Sequence, residues 1–251
     1  MELQCRRSEN SSALQNTGGI MGEKVSIVIP AYNEEIAIGN TLDLINSVIK
    51  NIEEYEFELI VVNNNSKDNT KQVAEKHGAL VLDELNQGYG NAYKKGMGFA
   101  TGDILITGDA DASYPFEDIP RFLRLMAEND FDFINTNRFA NLEKNSMPVL
   151  NYFGNKMLTL MANGIYGVNI KDSQSGMWIF KKEILENMDF GIMGAGMPFS
   201  QEIKIYSNHN NNKFVEIPIK YRKRLGEKKL NPLKDGYDNF INLLNFKKKL
   251  K

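Results

Sequence analysis

Residues 101–120 read TGDILITGDADASYPFEDIP, and the rest of the chain is organised around this stretch. Residues 104–106 form an apolar run after a Thr-Gly-Asp turn, which predicts a short buried strand. Asp109 and Asp111 follow that strand in a loop, where both carboxylates can face a cleft. Mg²⁺ is typically held by one or two carboxylates together with phosphate oxygens of a substrate. Taken alone, an Asp-x-Asp pair is more often an acidic surface turn before a helix, so the other motifs must decide.

The composition is that of an ordinary globular protein. The 251 residues are 42% hydrophobic and 25% charged, with a net charge of −2, so we expect no nucleic-acid partner. Cys5 is the only cysteine, which excludes an internal disulfide and fits a reducing, cytoplasmic location. No apolar run approaches the ~20 residues that a membrane span needs, so we expect a soluble or peripheral protein. The composition does not indicate which oligomeric state the protein has.

Strand and helix patterns alternate along the first part of the chain. This alternation predicts βαβ units and therefore an α/β fold, with a Rossmann-like, mostly parallel central sheet flanked by helices in a single domain. Ligands of such sheets bind at the carboxyl ends of the strands, and here polar loops follow those ends. The predicted strands besides the one described above are residues 25–29, 59–62, 79–82, 131–136, 177–180 and 215–219.

The two ends of the chain differ from the predicted domain in composition. Residues 1–22 are rich in Ser, Asn, Gln and Gly and are predicted to form a disordered leader. Residues 23–235 form the predicted domain, and residues 236–251 form an amphipathic basic tail. An apolar face flanked by lysines is typical of a segment in a membrane interface, but it also fits a terminal helix packed on its own domain.

Several motifs occur in the order and at the spacing seen in family 2 glycosyltransferases of the GT-A fold, which the chain resembles over residues 24–236. Two later motifs are similar to the branch that transfers sugars to dolichyl or polyprenyl phosphate, as dolichol-phosphate mannose synthases do. In order, the motifs are PAYNEE (30–35), NNNSKDNT (63–70), NQGYG (86–90) and GDAD (108–111), then DSQSG (172–176) and YRKR (221–224) with KLNP (229–232).

The resemblance implies an inverting transfer of a monosaccharide from UDP-GlcNAc, UDP-glucose or GDP-mannose to a lipid phosphate at the cytoplasmic membrane face. It also implies Mg²⁺ or Mn²⁺ bound by Asp109 and Asp111, which would be catalytic. The implied donor site consists of these two aspartates with Pro30, Ala31, Tyr32, Glu34, Asn63, Asn64 and Gly88. The implied acceptor-phosphate site consists of Arg138, Ser175, Arg222, Arg224 and Lys229, and the planar fork of arginine suits phosphate.

Three positions leave alternatives open. Asn63 stands where the family more often has an aspartate, and Trp178 stands where an arginine is frequent. These departures allow a protein that binds sugar nucleotides without catalysis. Glu202 falls near an acidic position that acts as the base in relatives with hydroxyl acceptors, so a glycan hydroxyl is an alternative acceptor.

Overall fold

The computed structural model of the protein describes residues 22–210, 212–227 and 232–250. Its strands are β1 (Glu23–Ala31), β2 (Tyr55–Asn63), β3 (Leu80–Asp83), β4 (Ile104–Thr107), β5 (Phe133–Leu142), β6 (Trp178–Lys181) and β7 (Phe214–Tyr221). They form one sheet in the order β3-β2-β1-β4-β6-β5-β7. Only β6 runs antiparallel to its neighbours among these strands, so the prediction of a mostly parallel sheet in a single domain is confirmed.

Helices cover both faces of the sheet, because alternate residues of each buried strand point to opposite sides. In β1, Ile27 and Ile29 face one core and Val28 faces the other. The helices are α1 (Ile38–Ile49), α2 (Thr70–Lys76), α3 (Tyr89–Phe99), α4 (Ile119–Asn129), α5 (Val149–Tyr166), α6 (Pro198–His209) and α7 (Pro232–Lys249). The first core packs against α1, α2 and α4, and the second packs against α3, α5, α6 and α7.

The first helix begins later than its apolar spacing predicts, at Ile38 rather than near Glu34. Hydrogen bonds to the segment after β2 hold the residues before this helix: Glu34 N donates to Thr70 Oγ1 at 2.8 Å, and Glu35 N donates to Asp68 Oδ2 at 3.2 Å. The segment after β1 is thereby tied to the segment after β2. Both belong to the edge of the sheet at which a ligand is expected.

The C-terminal segment packs on the domain. The predicted boundary after residue 235 falls inside α7, which contacts α5 and α6. Leu243 and Phe246 of α7 are fully buried, so part of its apolar surface packs inside the protein, whereas Tyr237 and Leu244 are exposed. Apart from Gly22, the predicted leader lies outside the described residues. None of the helices in the described part of the chain has the length and apolar character needed to cross a bilayer.

Candidate active site

The carboxyl ends of the parallel strands meet at one edge of the sheet. Ala31, Asn63 and Asp83 end β1, β2 and β3 in matching register. β4 lies on the other side of β1 and ends at Thr107, directly before the GDAD motif. The loops that the sequence predicts to converge are therefore adjacent, with the acid pair at the centre of the edge.

Asp111 is held rigidly by its own loop. Ser113 donates to Asp111 Oδ1 from its backbone N at 3.0 Å and from its Oγ at 2.5 Å. Ala112, between them, has a φ of +61°, a conformation that costs a non-glycine residue free energy and often marks a functional site. The loop thus fixes one carboxylate with its second oxygen still available.

Asp109 lies beside Tyr89, whose hydroxyl donates to its Oδ1 at 3.3 Å. Burial, followed by the negative charge of Asp111, raises the pKa of Asp109 to about 7. Two carboxylates that repel each other in a partly enclosed site are an arrangement that a divalent cation stabilises.

The ligand set of the acid pair fits Mg²⁺ or Mn²⁺. Within the described residues, no group of three or more His, Cys, Asp or Glu side chains is arranged to hold a metal ion. Two carboxylates, with phosphate oxygens and water in the other positions, are the coordination typical of Mg²⁺ in phosphate-binding enzymes. Asp109 and Asp111 would hold the ion.

Arg138, near the acid pair, is locked by a buried carboxylate. Its Nε and Nη2 donate to Asp172 at 2.8 and 2.9 Å, and its backbone N donates to the same side chain at 3.1 Å. Arg138 is 7% exposed and Asp172 is fully buried. This bidentate geometry fixes the plane of the guanidinium group and uses two of its five N–H donors.

Buried side chains donate hydrogen bonds to the backbone of the loop that carries Asp172. Lys204 is buried, and its Nζ donates to the carbonyl oxygens of Ser173 at 2.7 Å and Ser175 at 2.5 Å. Trp178 Nε1 also donates to the Ser175 carbonyl, at 2.6 Å. Burial lowers the pKa of Lys204 well below its ordinary range. Trp178 therefore belongs to the core and supports the loop.

One cavity of about 650 Å³ contains both the acid pair and Arg138. Its polar end includes Tyr89 and Arg224 as well. Its other walls are largely apolar and come from the segment before α5, from α5 and from α7. These apolar residues include Met147, Leu150, Met157, Leu158, Met161 and Phe240. The site is thus amphipathic, with charge at the sheet edge and hydrocarbon along the helices.

Arg224 connects the predicted donor loop with the acid pair. Its Nη2 donates to Glu34 Oε1 at 2.7 Å, and its Nε lies 3.6 Å from Asp111 Oδ2. Pro30 and Ala31 are the last residues of β1, and Tyr32 is half-buried just beyond them. The PAYNEE segment is therefore linked to the acid pair through Glu34 and Arg224, although none of its residues lines the cavity.

The amides of Asn63 and Asn64 are engaged in internal hydrogen bonds. Asn63 Nδ2 donates to Asp83 Oδ1 at 2.9 Å. Asn64 donates to the carbonyl oxygens of Glu84 and Asn86 and accepts from Gly88 N at 2.7 Å. Asn64 thus ties the end of β2 to the loop before α3. A Cβ at Gly88 would collide with the carbonyl oxygen of Ala195, so this glycine allows a close approach of two backbones.

Ten of the predicted site residues that the structure describes do not line the cavity: the donor residues Pro30, Ala31, Tyr32, Glu34, Asn63, Asn64 and Gly88, together with Ser175, Arg222 and Glu202. Arg222 pairs with Glu117, and Ser175 is buried with its Oγ 2.6 Å from Thr136 Oγ1. Glu202 is buried and accepts from Gly194 N at 2.6 Å. Burial raises the pKa of Glu202 to about 7. Lys229 lies outside the described residues. The donor, catalytic and acceptor roles of the predicted site residues remain predictions.

Sequence reasoning missed several residues that shape the site. Tyr89 lies inside a quoted motif, but no pattern showed that its hydroxyl would reach Asp109. Lys204 carries no motif at all, and a lone lysine in a helix is usually exposed. The apolar residues of α5 have the spacing of a helix face in the sequence, but that spacing does not show that some of them form a wall of the cavity.

Comparisons with known proteins identify the family of the chain. Residues 26–189 match the model of Glycosyl transferase family 2. The chain is 32% identical over 215 residues to the low-salt glycan biosynthesis hexosyltransferase Agl6 of Haloferax volcanii, covering 85% of this chain and 51% of that protein. It is 31% identical to a dolichyl-phosphate hexose transferase of the same organism, covering 85% of this chain and 90% of that protein.

A third relative and a solved structure extend the comparison. The undecaprenyl-phosphate 4-deoxy-4-formamido-L-arabinose transferase of Pseudomonas fluorescens is 30% identical, covering 84% of this chain and 61% of that protein. Glucosyl-3-phosphoglycerate synthase of Mycobacterium tuberculosis, solved with Mn²⁺ and UDP, shares the fold with a TM-score of 0.71 at 18% identity, covering 89% of this chain and 80% of that one. The chain therefore belongs to glycosyl transferase family 2.

Proposed function

We propose that this protein transfers one monosaccharide from a nucleotide sugar to the phosphate of a polyprenyl or dolichyl phosphate. The observation that carries the proposal is the amphipathic cavity, in which Asp109, Asp111 and Arg138 share one space with an apolar wall. An acceptor with a phosphate head and a hydrocarbon chain matches both ends of that cavity. The names of the relatives, which include dolichyl-phosphate and undecaprenyl-phosphate transferases, support the same acceptor class.

The donor would bind at the edge formed by β1, β2 and β4. Asp109 and Asp111 would hold a divalent cation, which when bound would neutralise the charge that develops on the leaving nucleoside diphosphate. Tyr89 and Ser113 keep the two carboxylates in place through the hydrogen bonds described above. UDP-GlcNAc, UDP-glucose and GDP-mannose remain the proposed donors.

The acceptor would lie on the Arg138 side of the cavity. Asp172 fixes the guanidinium group, so its remaining N–H donors can orient a phosphate without a large loss of side-chain entropy. A lipid phosphate is already anionic at neutral pH and can attack the sugar without a protein base. A single in-line displacement of this kind inverts the anomeric centre. The reaction would take place at a membrane surface, in the cytoplasm if the prediction from the cysteine content holds.

The two alternatives have less support. Transfer to a glycan hydroxyl with Glu202 as the base would need that carboxylate at the cavity, where it is not found. Binding without catalysis would be expected if the acid pair were incomplete, but both carboxylates are present and held.

Transfer of radiolabelled sugar tests the proposal directly. A panel of nucleotide sugars is incubated with a short polyprenyl phosphate and Mg²⁺ or Mn²⁺, and the product is extracted into organic solvent. We expect label in the organic phase with one donor, and an Asp111→Asn variant should lower the rate by about 100-fold or more because the charge that holds the cation is lost. Asp118→Asn, outside the cavity, is the matched control. Labelled product that stays in the aqueous phase, or full activity of Asp111→Asn, contradicts the proposal.

A further inference from the structure

Helix α5 carries an exposed apolar stripe. Five large side chains, those of Val149, Leu150, Phe153, Met157 and Leu160, are 60–73% exposed. Their spacing of three and four residues places them on one side of the helix. The opposite side, with Leu158 and Ala162, is buried in the second core. A helix that is apolar on both sides needs a second apolar environment outside the domain.

The charges around the apolar stripe match an anionic surface. No acidic residue occurs between Lys144 and Lys171, and the only charge on α5 is Lys156. Lys144 and Lys156 are both exposed, one just before the helix and one within it. The Nζ of Lys156 lies 4.1 Å from the ring centroid of Phe139, so its charge stays close to the helix surface. Apolar residues flanked by lysines and free of acid are typical of segments that bind anionic membranes.

The apolar stripe is continuous with the candidate active site. Leu150 and Met157 belong to the stripe and also line the cavity, so the cavity opens at this side of the helix. A hydrocarbon chain could pass from a bilayer into the cavity along these residues with little contact with water. This step rests on the proposed function, because it takes the acceptor to be a lipid.

A second copy of the chain is a weaker candidate for covering the stripe. A stable protein interface uses roughly 20–30 residues on each side, whereas the stripe offers five along a single helix. The C-terminal helix is also a weaker candidate for membrane contact than the sequence indicates. Its Leu243 and Phe246 are buried inside the domain, and only Tyr237 and Leu244 are exposed among its described large apolar side chains, fewer than the five of the stripe.

We propose that α5 docks the protein on an anionic lipid bilayer, with the apolar stripe inserted among the acyl chains and the mouth of the cavity facing the membrane. Lys144 and Lys156 then lie at the level of the lipid phosphates. The docking element is therefore an internal helix of the catalytic domain, beside the cavity, and not the basic tail.

Sedimentation with vesicles of phosphatidylcholine and phosphatidylglycerol tests the docking surface. The variant Phe153→Gln/Leu160→Gln changes two stripe residues that do not line the cavity. The control Phe99→Gln/Leu80→Gln changes a matched exposed pair away from α5. We expect the stripe variant to bind vesicles about tenfold more weakly or worse, because two inserted apolar side chains are lost, and the control to bind like the wild type.

A fluorescent reporter gives an independent reading. Trp178 is the only tryptophan and is fully buried, so a Phe153→Trp variant reports on position 153 with little background change. We expect its emission to shift to shorter wavelength on addition of vesicles and to be quenched by brominated acyl chains.

The outcomes separate this inference from the proposed function. The vesicles contain no donor and no acceptor, and transfer to a short, water-soluble polyprenyl phosphate is measured without them. Normal transfer with no vesicle binding overturns the docking proposal alone, whereas vesicle binding without any transfer overturns the function alone. Unchanged binding by the stripe variant, equal loss by the control, or a wild-type dimer that becomes monomeric in the stripe variant also overturns the docking proposal.

Discussion

Two arginines flank the acid pair, and the protein holds them in different ways. Arg138 lies on β5 and forms a buried fork with Asp172. Arg224 lies in the segment after β7, is about a quarter exposed, and pairs with Glu34. Its Nε is buried and finds no hydrogen-bond partner among the described residues. Asp172 thus fixes Arg138 in one orientation, whereas Arg224 has a buried donor left to respond to a ligand.

The two sides of the cavity therefore differ in how firmly their arginine side chains are held. A pair such as Arg138–Asp172 specifies one geometry, because either partner alone would be a buried, uncompensated charge. A partly exposed pair such as Arg224–Glu34 contributes little to stability and can rearrange at a low cost. We therefore expect a rigid acceptor side and an adaptable donor side.

Breaking the buried pair should have the largest effect. Arg138→Gln leaves the charge of Asp172 buried without its partner, so we expect the free energy of unfolding to fall by about 3–5 kcal/mol in urea titrations. The double variant Arg138→Gln/Asp172→Asn removes both charges and should recover much of that stability while transfer stays low. If the double variant is as unstable as the single one, the pair is not the source of the rigidity.

A comparison of Asp172 with Glu202, a second buried carboxylate, shows how Arg138 affects the pKa of its partner. Arg138 lowers the pKa of Asp172 despite burial, whereas Glu202, which lacks such a partner, has its pKa raised from 4.5 to about 7. A raised pKa means that folding favours the protonated form. The stability from this group is therefore fully present below pH 4.5 and is lost as the pH rises to about 7, by at most about 3 kcal/mol.

The pH dependence of thermal unfolding tests whether Glu202 stabilises the fold less as the pH rises. The melting temperature of the wild type, relative to that of Glu202→Gln, should decline from about pH 4.5 to about pH 7 and then level off. Glu186→Gln, at an exposed carboxylate, serves as the matched control and should follow the wild type. A constant difference between the wild type and Glu202→Gln would contradict the raised pKa. Loss of transfer in Glu202→Gln at all pH values would instead support the hydroxyl-acceptor alternative.

The two halves of the chain differ in how much of their structure the sequence could predict. The strands from β1 to β4 were located because each contains a short apolar run bounded by turn residues, although β3 is only partly buried, and their order placed the acid pair at a ligand-binding edge. The second half depends on long-range packing. The sequence shows an apolar face on α7 but cannot show that Leu243 and Phe246 meet the domain rather than a membrane.

Side-chain direction was the other limit. Glu202 was found by its place along the chain, yet its carboxylate binds the backbone of Gly194. Asn64 was assigned to the donor, yet it ties two loops together. Spacing along a sequence gives the position of a residue on an element, whereas the partner of a polar group depends on which loops come close in the fold.

The smallest expected effect concerns Arg224, because its pair with Glu34 is partly exposed. Arg224→Gln should leave the melting temperature nearly unchanged, but it should lower the transfer rate by about tenfold, since one cation near the acid pair is lost. Arg222→Gln is the matched control, because Arg222 pairs with Glu117 outside the cavity. We expect that control to retain its rate within about a factor of two.

Steady-state kinetics of Arg224→Gln then assign the residue to a substrate. A higher KM for the lipid phosphate alone agrees with the prediction from the sequence, whereas a higher KM for the nucleotide sugar alone places Arg224 with Glu34 on the donor side. Equal losses in Arg224→Gln and Arg222→Gln would show that both cations act through the general charge of the surface. In that case the contrast between a committed and an adaptable arginine would hold for stability and not for catalysis, because only Arg138 would then act at a defined place in the site.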